Sequence, residues 1–337
     1  MGAHARQCRR SWTRPATPAF HRAEPGWPRR PGVSENRSIS ATQAGMVGLG
    51  NMGGRIARRI AAAGHRLVGH DLDASRAGAA GVPAAPSLAA LVEACDVVLL
   101  SLPDSAAVES VVLGDGGVLA SCRGGQVVVD LTTAAPSSTV RLHALLAERG
   151  VELIDAGISG GARGAELGTL VIMAGGSLEA LEGVRALLDA FSARVHHMGP
   201  SGAGHTAKLL NNFLNGVSLA ATAEVMVAAR KAGLDLETFL DVVNHGSGVN
   251  FATLNRFPSI VRGDYLEGGL TGRLMMKDLL LYVALLRELG VPSLNAAGPV
   301  ATFGLANELG YGEQISNRVV DALGDVAGGI RLRDGDR

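Results

Sequence analysis

The chain has 337 residues, enough for about two domains and a substantial core. It is 47% hydrophobic and 18% charged with a formal net charge of zero, so we expect no surface for nucleic acid or for membranes. No apolar run is long enough to span a bilayer, because Glu224 and several asparagines interrupt the longest candidate helix. The three cysteines form no paired spacing, which favours a cytoplasmic protein.

Residues 1–43 differ in composition from the rest of the chain. They contain eight arginines among prolines and small residues, with only Glu24 and Glu35 as acidic residues. There is no apolar segment of the kind found in secretory signals. A transit peptide and an upstream extension of the coding frame are both compatible with this pattern. We expect a disordered or dispensable leader that takes no part in the fold.

A dinucleotide-binding fingerprint begins directly after the leader. A short apolar strand ends at Val47, a helical stripe from Ile56 is stopped by Gly64, and a second strand ends at Asp71. In this setting a GxGxxG sequence lets the backbone approach a pyrophosphate at a helix N-terminus, and the later carboxylate binds a ribose hydroxyl. The candidate cofactor-binding residues are Gly48, Leu49, Gly50, Asn51, Met52, Gly53 and Asp71.

Strands and helices continue to alternate up to about residue 200. The apolar runs are continuous and rich in β-branched residues, which is typical of a parallel sheet covered on both faces. We predict strands at 96–102, 126–130, 151–155 and 169–174, and helices at 88–94, 137–149 and 178–191. Long helices follow, the first running without a breaker to Ala232 and others at 236–243 and 274–289.

These elements predict an α/β fold, with a doubly wound (Rossmann) N-terminal domain, a long linking helix and an all-α C-terminal domain. We place the cofactor-binding domain at 44–200, the interdomain helix at 201–232, the helical domain at 233–325 and a tail at 326–337. Ligands of doubly wound sheets bind at the carboxyl ends of the strands, so polar residues there are candidates for a site.

One polar motif at a predicted strand end suits a carboxylate. Ser159 offers a hydroxyl, and Gly160 and Gly161 expose backbone N–H groups. A plain glycine turn is the alternative interpretation.

Lys208 and Asn212 lie four residues apart in the long helix, so their side chains share one face. The chain has only three lysines among 31 lysines and arginines, which favours a use for the titratable ammonium of Lys208 as a proton donor or acceptor. An ordinary solvated face is the alternative. Lys277 and Asp278, taken alone, would be interpreted as a surface ion pair.

Together, four motifs resemble those of the β-hydroxyacid dehydrogenase family, the group of 3-hydroxyisobutyrate dehydrogenase and tartronate semialdehyde reductase. They are GLGNMG at 48–53, DAGISGGARGAELGTL at 155–170, GAGHTAKLLNN at 202–212 and KDL at 277–279. The resemblance covers roughly residues 44–325. The family usually has a proline where this chain has Gly157, a departure that concerns substrate identity rather than chemistry.

The resemblance implies an NAD-dependent dehydrogenase of a small 3-hydroxy acid, without a metal, that forms a homodimer or homotetramer. It implies that Lys208 is catalytic and that Asn212 binds the substrate beside it. The residues that it assigns to the substrate carboxylate are Ser159, Gly160 and Gly161, and those that it assigns to the cofactor include Leu102, Pro103, Thr133 and Lys277. An imine-reducing relative and a non-catalytic dinucleotide-sensing scaffold are the alternatives, and the presence of Lys208 counts against both.

The residues after the second strand predict NAD rather than NADP. Asp71 and Asp73 stand where an NADP enzyme usually has an arginine for the 2′-phosphate, and a carboxylate repels that phosphate. Arg76 lies beyond both acidic residues at the start of the next helix, and we interpret it as a solvated residue.

Overall fold

In the computed structural model, which describes residues 43–333, seven strands form one sheet with the order β2-β1-β3-β4-β5-β6-β7. They are β1 (Gln43–Val47), β2 (Arg66–His70), β3 (Val97–Leu100), β4 (Val127–Asp130), β5 (Glu152–Ser159), β6 (Leu170–Gly175) and β7 (Ser192–Gly199). The expected leader lies outside the described residues except for Gln43, which begins β1 rather than ending the leader.

The sheet is parallel from β2 to β5, as the continuous apolar runs predict. The expectation of a parallel sheet is wrong at β6, which pairs with β5 in the antiparallel direction and with β7 in the parallel direction. The cause is the short connection between β5 and β6, which contains only α7 and brings the chain back into the sheet at the end where β5 stopped. A parallel neighbour would need a crossover of a dozen or more residues to the opposite end of the sheet.

Nine helices accompany the sheet within the described part of the chain. They are α1 (Gly53–Ala62), α2 (Ser75–Ala79), α3 (Leu88–Ala94), α4 (Ser105–Leu113), α5 (Val118–Ser121), α6 (Pro136–Ala147), α7 (Gly161–Leu167), α8 (Leu178–Gly183) and α9 (Arg185–Asp189). The single helix predicted at 178–191 is therefore two helices, separated at Val184, where the backbone leaves the helical region.

Seven more α-helices follow the sheet in the described residues. They are α10 (Ala203–Lys231), α11 (Leu236–His245), α12 (Phe251–Asn255), α13 (Phe257–Ile260), α14 (Gly272–Glu288), α15 (Ala297–Ala306) and α16 (Val319–Val326), with a 3-10 helix at Ser316–Arg318. None of the helices described combines the length and apolar character needed to cross a membrane.

Alternation along the strands produces a core on each face of the sheet. In β3, Leu99 packs in one apolar cluster, whereas Val98 and Leu100 pack in another on the opposite face. A third cluster, built around Phe257 and Phe303, lies among the later helices. The doubly wound sheet and the all-helical region that the sequence predicts are both confirmed.

Helix α10 connects the sheet to the helical region. It has 29 residues and so spans about 43 Å. Its first turns pack against β5 and β6, and its later turns contribute Phe213, Leu219 and Met226 to the helical core. Residues near its start are therefore held at the carboxyl end of β5.

Candidate active site

The loop between β1 and α1 has the geometry that a pyrophosphate needs. Gly48 has a φ of +87°, and a Cβ atom on it would lie 2.3 Å from the carbonyl oxygen of Ser101. A Cβ atom on Gly53 would lie 1.9 Å from the carbonyl oxygen of Gly48, so α1 packs directly on the loop. The N-terminus of α1, with its positive dipole end, lies beside this loop, and these residues fit the implied dinucleotide.

The side chains of the same loop anchor it. Leu49 is buried and Met52 is half-buried, and both pack in the apolar cluster on the face of the sheet that includes Leu99. Asn51 donates a hydrogen bond of 2.7 Å from Nδ2 to the carbonyl oxygen of Gly268. The fingerprint loop is thus fastened both to the core and to the loop that precedes α14.

Asp71 follows β2 and lies against the fingerprint loop. Its carboxylate accepts hydrogen bonds from the backbone N–H groups of Leu49 at 2.7 Å and Asp73 at 2.9 Å. Arg76 is not simply solvated, as the sequence led us to expect: its Nη1 lies 3.6 Å from Asp71 Oδ2, and its Nε lies 3.5 Å from Asp73. Both Arg76 and Arg58 line a cavity of about 290 Å³ beside Gly50.

The ends of β3 and β4 contact each other and α14. The backbone N–H of Leu102, which precedes Pro103, donates to Thr132 Oγ1 at 3.1 Å. The carbonyl oxygen of Thr133 accepts a hydrogen bond of 2.7 Å from Lys277 Nζ. Thr133 and Lys277, which lie 144 positions apart, are therefore in direct contact at the carboxyl ends of the strands.

The Ser159-Gly160-Gly161 sequence stands where β5 ends. Ser159 is the last residue of the strand, and Gly160 turns the chain with a φ of +128°, a value that only glycine adopts without strain. Gly160 and Gly161 are exposed at this turn. The side chain of Ser159 lies on the same face of β5 as Gly157, two residues earlier, which contacts the stem of Lys208.

Lys208 and Asn212 are both buried on α10, with 8% and 5% of their surface exposed. Burial lowers the pKa of Lys208 to about 8, while the negative charge of Asp278 opposes that change and the positive charge of Lys277 adds to it. A solvated face, the alternative from the sequence, is therefore wrong for these two residues.

Asp278 is the site residue to which sequence reasoning gave no role. It is 2% exposed and accepts a hydrogen bond of 2.6 Å from Asn212 Nδ2, and its Oδ1 lies 3.1 Å from Lys277 Nζ. The surface ion pair considered from the sequence is wrong, because Asp278 is buried. The sequence contains a signal for the burial of Asp278, because this residue stands three residues after Met275 and next to Leu279, on the apolar stripe of α14.

The candidate residues form two groups along the row of carboxyl strand ends. Lys208, Asn212 and Lys277 come together through Asp278, near the end of β5. Asp71 lies at the end of β2, four strand positions from β5, or roughly 19 Å. The arrangement suits an extended dinucleotide lying across the strand ends.

Fold and strand-end geometry together define a dinucleotide-binding oxidoreductase, and comparisons with known proteins agree. Residues 43–199 match the sequence model of the NAD binding domain of 6-phosphogluconate dehydrogenase. Residues 202–322 match the model described as the NAD-binding region of NADP-dependent 3-hydroxyisobutyrate dehydrogenase.

Individual relatives cover most of the chain. It is 32% identical over 287 residues to 2-(hydroxymethyl)glutarate dehydrogenase of Eubacterium barkeri, covering 84% of this chain and 95% of that protein. It is 39% identical over 247 residues to NAD-dependent L-serine dehydrogenase of Pseudomonas aeruginosa, covering 70% and 83%. The structure of 3-hydroxyisobutyrate dehydrogenase of Mycobacterium tuberculosis with L-serine has a TM-score of 0.76 at 29% identity, covering 84% and 99%.

The chain belongs to the β-hydroxyacid dehydrogenase family. It is an NAD-binding oxidoreductase, and the family resemblance of the four sequence motifs is confirmed.

Proposed function

We propose that the chain oxidises a small 3-hydroxy carboxylic acid, or reduces its carbonyl form, with NAD as the cofactor. One observation carries the proposal: Lys208, buried with a pKa of about 8, lies beside Asn212 and on the face of β5 that ends at Ser159. The relatives support the substrate class, since L-serine and 2-(hydroxymethyl)glutarate both carry a hydroxyl on the carbon β to a carboxylate.

The substrate carboxylate binds at the end of β5. The hydroxyl of Ser159 and the backbone N–H groups of Gly160 and Gly161 are donors, and a carboxylate accepts up to four hydrogen bonds. This anchoring places the β-carbon of a short acid along the same face of the strand, toward Lys208.

Lys208 exchanges the proton of the substrate hydroxyl. NAD, when bound, accepts or supplies the hydride. Neutral Lys208 takes the hydroxyl proton during oxidation, and the charged form returns it during reduction. A pKa near 8 allows both forms to be populated near neutral pH, which an ordinary lysine or an arginine would not permit.

Asn212 and Asp278 orient the reacting groups. Asp278 accepts a hydrogen bond from Asn212 Nδ2, and Asn212 Oδ1 accepts one of 3.3 Å from Asn211 Nδ2, so the amide is held in one orientation and its second N–H is left for the substrate. Asp278 also keeps a negative charge close to Lys208, which limits how far burial lowers the pKa of the lysine.

The cofactor residues follow the strand ends. The fingerprint residues 48–53 would hold the pyrophosphate and Asp71 the adenosine ribose, while Leu102, Pro103 and Thr133 would line the nicotinamide. Lys277, bonded to the carbonyl of Thr133, would close this end of the cleft. The fixed loop around Gly48 and Gly53 supports these roles.

We also propose a division into the cofactor-binding domain, linking helix and helical domain given above, and a homodimer or homotetramer in the cytoplasm. The end of β7 at Gly199 and the bounds of α10 support the division. Exposed apolar side chains on the helical region support assembly, among them Leu214, Phe251 and Leu280. Cys95 and Cys122 are free, in keeping with a reducing compartment.

The test is a dehydrogenase assay of the purified chain with NAD over a panel of small acids. The panel pairs each 3-hydroxy acid with its 2-hydroxy isomer, and a cyclic imine with NADH is run in parallel. We expect turnover of at least one 3-hydroxy acid and none of its isomer. Imine reduction without oxidation of any hydroxy acid would contradict the proposal.

A further inference from the structure

Gly157 is in unusually close contact with Lys208. Gly157 lies in the buried part of β5, and a Cβ atom built on it would stand 2.5 Å from Lys208 Cβ and 2.9 Å from Lys208 Cγ. Real Cβ atoms essentially never approach another heavy atom so closely. The stem of Lys208 therefore occupies the space that any side chain at position 157 would need.

Helix α10 cannot move away to make room, because its first turn is clamped to the sheet. A Cβ atom on Gly204 would lie 2.2 Å from the carbonyl oxygen of Asp155 and 2.5 Å from that of Met173, so the backbones touch there. The buried carboxylate of Asp155 accepts hydrogen bonds of 2.8 Å from the N–H groups of Gly202 and His205. These contacts fix α10 one turn before Lys208.

We propose that Gly157 is a positioning residue, whose missing side chain lets the stem of Lys208 lie directly on β5 and so sets the place of its ammonium at the substrate hydroxyl. The proposal rests on the proposed function of Lys208. The sequence related the departure from proline at this position to substrate identity, whereas the contact relates Gly157 to the place of Lys208. In this chain the lysine stem lies on the strand itself.

A methyl group at position 157 should therefore displace the part of α10 that carries the lysine. Rotation of the Lys208 side chain moves Cγ but not Cβ, so with the first turn of α10 clamped the turn that carries Lys208 must be pushed away from β5. Misplacement of the lysine by about 1 Å can cost a hundredfold in rate. We expect Gly157→Ala to lower kcat by at least about tenfold while the KM for the acid and the Kd for NADH change by less than about threefold. Because burial is what lowers the pKa of Lys208, the midpoint of the pH profile should move to higher pH.

The experiment compares four proteins: wild type, Gly157→Ala, Lys208→Ala and the double variant. The matched control is Gly183→Ala in α8, where an added Cβ meets nothing within 4 Å and kcat should be unchanged. If Gly157 acts through the lysine, the double variant is no slower than Lys208→Ala alone. If Gly157→Ala lowers kcat in the Lys208→Ala variant by the same factor as in wild type, the proposal is overturned.

The controls separate this inference from the proposed function. Full activity in Lys208→Ala would remove the proposed function itself. Suppose that Lys208→Ala is inactive but Gly157→Ala keeps the kcat and the pH midpoint of wild type. This result would overturn only the role of Gly157. If Gly157→Ala is too unstable to purify, we expect Lys208→Gly, which removes the Cβ at 2.5 Å, to restore a folded protein in the double variant, and failure to do so would contradict the contact.

Discussion

At the scale of single residues, the burial of Lys208 sets the pH range in which the proposed proton exchange can occur. Its pKa of about 8 lies below that of an ordinary lysine, chiefly because burial disfavours the charged form. The lysine is therefore protonated below about pH 8 and neutral above it. In the proposed reaction, oxidation needs the neutral form of the lysine and reduction needs the charged form.

We expect kcat/KM for oxidation of the hydroxy acid to rise with pH through about 8 and then level off. The kcat/KM for the reverse reduction should fall over the same range, because its proton donor is lost. Steady-state profiles in both directions measure this, with Lys208→Ala as the control that should lose the transition. Profiles that are flat or that rise together with pH would contradict the assignment.

Cofactor choice also depends on a few side chains. The carboxylate of Asp71, which we propose binds the ribose, accepts a hydrogen bond from the N–H of Leu49, and Arg76, 3.6 Å away, partly offsets its negative charge. We expect a preference for NAD over NADP of at least about tenfold in kcat/KM, roughly 1.4 kcal/mol. Asp71→Asn with Leu72→Arg should move the preference toward NADP.

Arg76→Ala supplies the opposite test at the same place. Removal of the guanidinium leaves the carboxylates of Asp71 and Asp73 without their common partner, so discrimination against NADP should become stronger. Paired binding titrations with NADH and NADPH measure both changes, and Arg185→Ala, which removes a similar exposed ion-paired arginine, is the control. Equal affinities of the unmodified chain for both cofactors would show that Asp71 does not discriminate.

At the scale of the elements, α10 depends on one buried acidic side chain. Asp155 accepts hydrogen bonds from two N–H groups at the start of this helix, and it is wholly buried. Next to it, His205 Nδ1 and Thr139 Oγ1 share a hydrogen bond of 2.7 Å, which ties α10 to α6. The start of α10 is thus held by polar contacts that water does not reach.

We expect Asp155→Ala to lower the free energy of unfolding by at least about 3 kcal/mol, since hydrogen bonds to a charged group contribute about 1.5–3 kcal/mol each. Asp155→Asn keeps an acceptor and should lose less. Urea unfolding measures the change, and Asp235→Ala, at the exposed start of α11, is the matched control with a smaller expected loss. A smaller loss in Asp155→Ala than in the control would contradict the role of Asp155.

Elements with strong apolar patterns could be predicted from the sequence, and exposed ones could not. Strands β3 and β4 are buried runs of valine and leucine, and both were predicted. Strand β7 was not, because most of its residues are exposed and it includes Arg194, His196 and His197. The direction of β6 was also missed, since the composition of a strand does not encode the direction of its partner.

At the scale of the whole molecule, the site depends on contacts that no local pattern reveals. The separate motifs containing Lys208, Ser159 and Lys277 could be recognised along the chain. Their meeting point could not, because it depends on Asp278 joining α10 to α14 and on Thr133 meeting Lys277 across 144 positions. The close contact between Gly157 and Lys208 likewise depends on how α10 packs on the sheet.

Above all, we propose that Lys208 exchanges the proton of a hydroxy acid while the carboxyl ends of the strands bind NAD. The most direct test measures kcat on the best 3-hydroxy acid, together with the Kd for NADH, in wild type, Lys208→Ala and Lys208→Arg. We expect both variants to lose at least about a hundredfold in kcat, because neither alanine nor arginine can exchange the proton, with the Kd for NADH unchanged within about threefold. Wild-type kcat in either variant would contradict the account.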